Sequence, residues 1–136
     1  MSTESTQNRQ FPQKLLDGYR IFKEHRYADQ KEIYTTLAET GQTPETLVIA
    51  CCDSRAAPET VFNAGPGELF VVRNVANLVP PNKPADGYDS TSAALEFAVQ
   101  ALRVKNIVVM GHARCGGDNN RVAEAFACGV QQIILD

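Results

Sequence analysis

The stretch Leu47-Val48-Ile49-Ala50-Cys51-Cys52-Asp53-Ser54-Arg55 decides how the chain folds. Its first five residues form a short, continuous apolar run with polar residues on either side. That pattern suits a strand covered on both faces rather than one. Two further runs repeat it, Leu69-Phe70-Val71-Val72 after the turn Gly65-Pro66-Gly67, and Ile107-Val108-Val109-Met110. Between the last two, Ser90 to Leu102 has helical periodicity, with Leu95, Ala98, Val99 and Leu102 on one face and Ser90 or Thr91 as N-cap. Strands alternating with helices predict an α/β fold with a mostly parallel sheet flanked by helices, in which ligands collect at the carboxyl ends of the strands.

Upstream of the decisive stretch, apolar residues recur at helical spacing from Phe11 to about Leu37, as in Leu15, Leu16, Tyr19 and Phe22, then Ile33, Tyr34 and Leu37. Two helices are expected there, broken near His25 to Ala28. Thr40-Gly41-Gln42-Thr43-Pro44 supplies the glycine and proline that follow a helix end. Residues 1–10 are polar and without periodicity, so they read as a flexible tail, and residues 11–136 read as a single domain. Pro80 to Tyr88 reads as a loop. Farther along, Arg121 to Cys128 reads as a helix of two turns and Val130 to Leu135 as a strand at a sheet edge.

With 136 residues, 43% of them hydrophobic and 21% charged, the chain has the composition of an ordinary globule with one core. The net charge of −3 is spread along the sequence. It offers no basic stripe for nucleic acid and no polybasic membrane anchor, which favours a small-molecule partner. The apolar runs are too short to span a bilayer, and the first thirty residues contain no apolar signal core, so the reading is of a cytoplasmic protein. In a reducing compartment the four cysteines point to metal binding or burial rather than to disulfides.

Cys51 falls after the first predicted strand, and His112 with Cys115, spaced His-x-x-Cys, after the third. One close pair plus one distant ligand closes a tetrahedral site. Zinc accepts thiolate and imidazole together, and three protein ligands leave a fourth position for water, the arrangement of a catalytic site. Asp53, two residues beyond Cys51, is placed to accept a hydrogen bond from a bound water, with Arg55 holding its carboxylate by a forked ion pair. Each residue has a plainer reading. Free cysteines are commonly buried as small hydrophobes, and Asp53 with Arg55 would be an unremarkable surface pair. It is their combination that favours the metal. Cys52 and Cys128 fit no ligand pattern and read as core residues, and His25, within Lys23-Glu24-His25-Arg26, reads as solvated.

Cys51-Cys52-Asp53-Ser54-Arg55 and His112-Ala113-Arg114-Cys115-Gly116-Gly117 resemble the two metal motifs of the β-class carbonic anhydrases. Pro66 to Pro81 and Ala93 to Val99 are similar to that family's intervening segments. The resemblance is strongest over residues 41–117 and ends after Gly117, where family members continue with a helix and a further strand, so the C-terminal part reads as short or divergent. The resemblance implies a β-carbonic-anhydrase-like fold with an N-terminal helical arm, one zinc per chain on Cys51, His112 and Cys115, and Asp53 with Arg55 as the catalytic pair. It implies substrate contacts from Gln42, supplied by a neighbouring protomer, and from Phe70, Val75 and Phe97 as apolar pocket walls. It further implies a homodimer or higher oligomer, and reversible hydration of carbon dioxide to bicarbonate and a proton by hydroxide on zinc. Val48 stands where some members carry a tryptophan of a bicarbonate-regulated site, and the chain has no Trp, so that regulation is not expected and Arg73 reads as structural. Three other readings are a hydrolase of carbonyl sulfide or carbon disulfide, a non-catalytic zinc-binding relic, and a thiol enzyme using Cys52.

Overall fold

The computed structural model describes residues 11–81, 89–116 and 130–135. They fall into two compact units, a helical one ending at Thr40 and an α/β one beginning at Gly41. In the helical unit, α1 (Gln13–Phe22) runs into a π-helical turn at Lys23–Tyr27, and α2 (Lys31–Thr40) follows. The expected break near His25 to Ala28 is therefore a widened turn within continuous helix, and the chain turns at Gln30. Phe22, Tyr27 and Tyr34 form an aromatic cluster, with ring centroids of Phe22 and Tyr34 6.1 Å apart at 89° and those of Tyr27 and Tyr34 5.2 Å apart. Gly41 ends α2 with φ 81°, the left-handed conformation that a residue without Cβ adopts freely.

The α/β unit is built on four strands, β1 (Thr46–Cys51), β2 (Leu69–Asn74), β3 (Asn106–His112) and β4 (Val130–Leu135). All pairings are parallel and the order is β2-β1-β3-β4. Val130 to Leu135 thus lies at a sheet edge as expected. The predicted helix at Arg121 to Cys128, most of the Pro80 to Tyr88 loop, the 1–10 tail and the reading of Cys128 lie outside the described residues. Among the described residues two helices link the strands, α3 (Pro58–Val61), which the sequence reading missed, and α4 (Ser90–Glu96), extended by a π-helical turn at Phe97–Leu102. The α4 cap is Asp89 rather than Ser90 or Thr91, and its carboxylate accepts from the Thr91 N–H at 3.1 Å and the Ser92 hydroxyl at 2.7 Å.

The period-two alternation of the strands sorts the core onto two faces. Val48, Ala50 and Met110 pack on one face with Ala56 and Val61 near α3. Leu47, Ile49 and Val109 pack on the other with Leu95 and Ala98 from the α4 segment. Val99 does not join them, being about half exposed. Because β1 is central and covered on both sides, Leu47, Val48 and Ile49 are fully buried, each contributing about 2 kcal/mol of transfer free energy. From β1 the chain steps to β2 on one side, then crosses to β3 on the other. The carboxyl ends of β1 and β3 therefore flank the point where strand order reverses, the crevice in which open α/β sheets bind ligands.

Candidate metal centre

Cys51 ends β1 and His112 ends β3, so the sheet itself brings residues 61 positions apart to the same crevice; Cys115 follows on the turn after β3. Cys51 and His112 are buried and Cys115 is half-buried. The candidate donor atoms of the three residues lie within 4.8 Å of one another. Cys51 Sγ and Cys115 Sγ are 3.7 Å apart. A tetrahedral zinc with bonds of about 2.3 Å to two sulfurs would separate them by about 3.8 Å. The ring of His112 completes the fit. Its Nε2 is buried without a hydrogen-bond partner, a costly condition that a metal ligand bond removes. Its Nδ1 lies 3.1 Å from the carbonyl oxygen of Ala113. A proton on Nδ1 donated to that carbonyl leaves the Nε2 lone pair free for a metal.

Local turns set the charges around these donors. Burial pushes the Cys51 thiol up, but the N–H of Asp53 at 3.5 Å, the His112 ring, the N–H of Ala76 and Cys115 together outweigh it and bring the thiol down to about 7. Thiolate is thus available near neutral pH for a cation. Asp53 Oδ1 accepts from the main-chain N–H and the Nε of Arg55, and Oδ2 accepts from Nη2, each at 2.9 Å. That fork holds the Asp53 carboxyl well below the usual carboxylate range, and the same contact raises Arg55. Both carboxylate oxygens are engaged by Arg55, and Oδ2 lies 3.9 Å from the orphaned His112 Nε2. Arg55 Nη2 also approaches His112 Nδ1 at 3.2 Å, so this guanidinium touches both the carboxylate and a ligand ring.

The expected pocket walls are less enclosed. Phe70 and Phe97 meet at 5.7 Å between centroids with their rings tilted by 38°, yet Phe97 is 49% and Val75 67% exposed. Gln42 is exposed and precedes β1, at the strand end opposite Cys51. Cys52 is exposed, contrary to its reading as a core residue. Sequence reasoning missed the short helical turn Val75–Asn77, where Ala76 and Asn77 take φ of 67° and 45° without being glycine. Asn74 fastens that turn, its Oδ1 accepting from the Leu78 N–H at 2.7 Å and its Nδ2 donating to the Leu78 carbonyl at 2.8 Å. The Ala76 N–H is among the groups that lower the Cys51 thiol. No residue type in Val75-Ala76-Asn77 signals it.

The sequence profile of the carbonic anhydrase family matches residues 46–133. The match continues well past Gly117, so the resemblance does not end there as the motifs suggested. Beta carbonic anhydrase 5, chloroplastic, of Arabidopsis thaliana is 53% identical over 76% of this chain. Beta carbonic anhydrase 6, mitochondrial, of the same plant is 42% identical over 86% of it. The chain spans only 33% and 39% of the length of those two relatives. A solved tetrameric β-carbonic anhydrase from the filamentous ascomycete Sordaria macrospora is 36% identical, with a TM-score of 0.66 over 76% of this chain and 50% of that one. The expectation of a cytoplasmic protein is overturned by the organellar names of the two plant relatives. Its basis was at fault, since organelle addresses sit outside the folded domain and leave no trace in its composition. A parallel sheet with its strand-order reversal at Cys51 and His112, both metal motifs in register, and a profile match over most of the sequence agree: the chain belongs to the β-class carbonic anhydrase family.

Proposed function

We propose that this chain holds one zinc ion on Cys51, His112 and Cys115 and takes part in the reversible hydration of carbon dioxide to bicarbonate and a proton. The observation that carries this reading is the pair of sulfurs 3.7 Å apart beside a buried imidazole nitrogen with no other partner. Zinc held by three protein ligands lowers the pKa of a water in its fourth position to about 7, supplying a nucleophile at neutral pH. The chain's own residues do the rest. Asp53, kept ionised by Arg55, can only accept hydrogen bonds, so it would orient a water by accepting one from it. The Arg55 fork uses both carboxylate oxygens and restrains Asp53 from becoming a fourth ligand itself. Phe70, Val75 and Phe97 offer apolar surface for a substrate that needs desolvation more than polar contacts.

Gln42 and the helical unit enter through a second copy of the chain. Gln42 lies at the far end of β1 from Cys51, so it serves a neighbouring site rather than its own, and the exposed apolar residues of α1 and α2 suit burial against a partner. A homodimer or larger assembly follows from this reading.

Metal analysis joined to a stopped-flow hydration assay on the purified chain tests the proposal. One zinc per chain with turnover above buffer supports it, and Cys51→Ser should remove both. The same assay run with carbonyl sulfide and carbon disulfide decides between hydratase and hydrolase. The exposure of Val75 and Phe97 favours one other reading, a chain that binds zinc without catalysis. Zinc without turnover of any of the three substrates would establish it.

A further inference from the structure

The turn Cys51 to Asp53 carries a ligand sulfur at one end and the water-orienting carboxylate at the other, so whatever fixes its main chain fixes both at once. The neighbouring strand β2 grips it at three points. The Cys52 N–H donates to the Asn74 carbonyl at 2.9 Å. Arg73 Nε donates to the Cys51 carbonyl at 2.8 Å, and Arg73 Nη2 donates to the Asp53 carbonyl at 2.7 Å. Arg73 reaches across from its register position opposite Ala50, where it is half-buried. Among the described residues its side-chain hydrogen bonds go to these two carbonyls and to no carboxylate.

We propose that Arg73 is a positioning residue for the metal centre: its forked guanidinium sets the Cys51–Asp53 turn so that the sulfur of Cys51 and the carboxylate of Asp53 are held in fixed relation before a metal arrives. Two nitrogens of one rigid plane span two carbonyls two residues apart, a contact that the single ammonium of lysine cannot reproduce. A turn released from this grip rotates the sulfur out of line with Cys115 and His112, and the metal then carries the cost of restoring the geometry.

The inference rests on the zinc reading above, and its test reads metal affinity rather than turnover. The full chain competes with a chromogenic chelator for zinc, as wild type, as Arg73→Lys and as Arg73→Ala, with and without a few millimolar added guanidinium. Loss of a hydrogen bond that orients a ligand weakens metal binding by about 10- to 100-fold, so both variants should bind zinc weaker by that factor. Guanidinium should restore part of the affinity in Arg73→Ala, which leaves space for it, and none in Arg73→Lys. The proposal is overturned if Arg73→Lys melts earlier but binds zinc within twofold of wild type, because Arg73 then serves the scaffold alone. A variant that fails to fold even with zinc overturns it for the same reason. A wild-type chain that takes up no zinc sinks the metal reading itself, whereas the Arg73 proposal fails only on the variants' affinity relative to a zinc-binding wild type.

Discussion

At the scale of single residues, Asp53 and Arg55 separate binding from chemistry. Neither is needed as a zinc donor in the proposed site, because Cys51, His112 and Cys115 could supply three ligands without them. Asp53→Asn keeps the shape but adds an N–H2 donor beside the Arg55 guanidinium, which has no acceptor to offer it. Zinc content should stay at one per chain, while hydration falls by about 10- to 100-fold, the usual effect of losing a hydrogen bond that orients a group at a metal site. Arg55→Lys should keep the charge and lose the fork, lowering turnover by about 10- to 100-fold with Asp53 still ionised. Metal analysis alongside initial rates checks both, and loss of zinc in Asp53→Asn would refute this division of roles. The cluster of Cys51, His112 and Cys115 and this pair were legible in the sequence because each side chain is chemically distinctive and strand ends are where such residues gather. Ala76 was not legible. Its contribution is a main-chain N–H in a left-handed turn, and nothing about an alanine announces that conformation.

At the scale of elements, the three strands nearest the site were visible as short apolar runs, whereas α3, only four residues long, has no room to show a period. The cap of α4 shows the same limit. Ser90, Thr91 and Asp89 are all cap formers, and only the hydrogen bonds to Thr91 and Ser92 single out Asp89. Those contacts, the Ser92 hydroxyl first, lower the Asp89 carboxyl below its ordinary value. A carboxylate whose folded pKa is depressed adds stability that is fully present above its unfolded pKa and lost as pH falls through the folded one. Asp89→Ala should therefore lower the melting temperature at neutral pH, on the order of 4 °C for a lost cap in a small domain, while Asp89→Asn keeps most of it. Below about pH 4 the wild type loses its charged cap and the gap to Asp89→Ala should narrow. Melting curves of the three proteins across acid pH check this, and a gap that stays constant to the lowest pH would contradict it.

At the scale of the whole molecule, the apolar residues of the helical unit bear on whether copies of the chain assemble. Phe11, Leu15, Tyr19, Ile21 and Ile33 are all exposed, and neither α1 nor α2 has a buried residue. Helical periodicity revealed these helices in the sequence, and the resemblance implied that they form an arm in an oligomer. What covers the face was beyond periodicity, because an apolar stripe looks the same whether its partner is the same chain or another. No helix among the described residues is long and apolar enough to cross a membrane. Among the described residues, Leu15 and Tyr19 are each nearly 60% exposed. Burying side chains of that size stabilises an assembly by about 1.5–3 kcal/mol apiece. Sedimentation of the wild type should thus show a dimer or larger species at micromolar concentration. The double variant Leu15→Glu, Tyr19→Glu should shift it towards monomer, since a buried unpaired carboxylate costs more than the lost apolar contact. If Gln42 acts in the neighbour's site, that variant should also lose hydration activity while the Cys51, His112 and Cys115 cluster still takes up zinc. An assembly unchanged by both substitutions would place the interface elsewhere, and full activity in a proven monomer would remove Gln42 from the reaction.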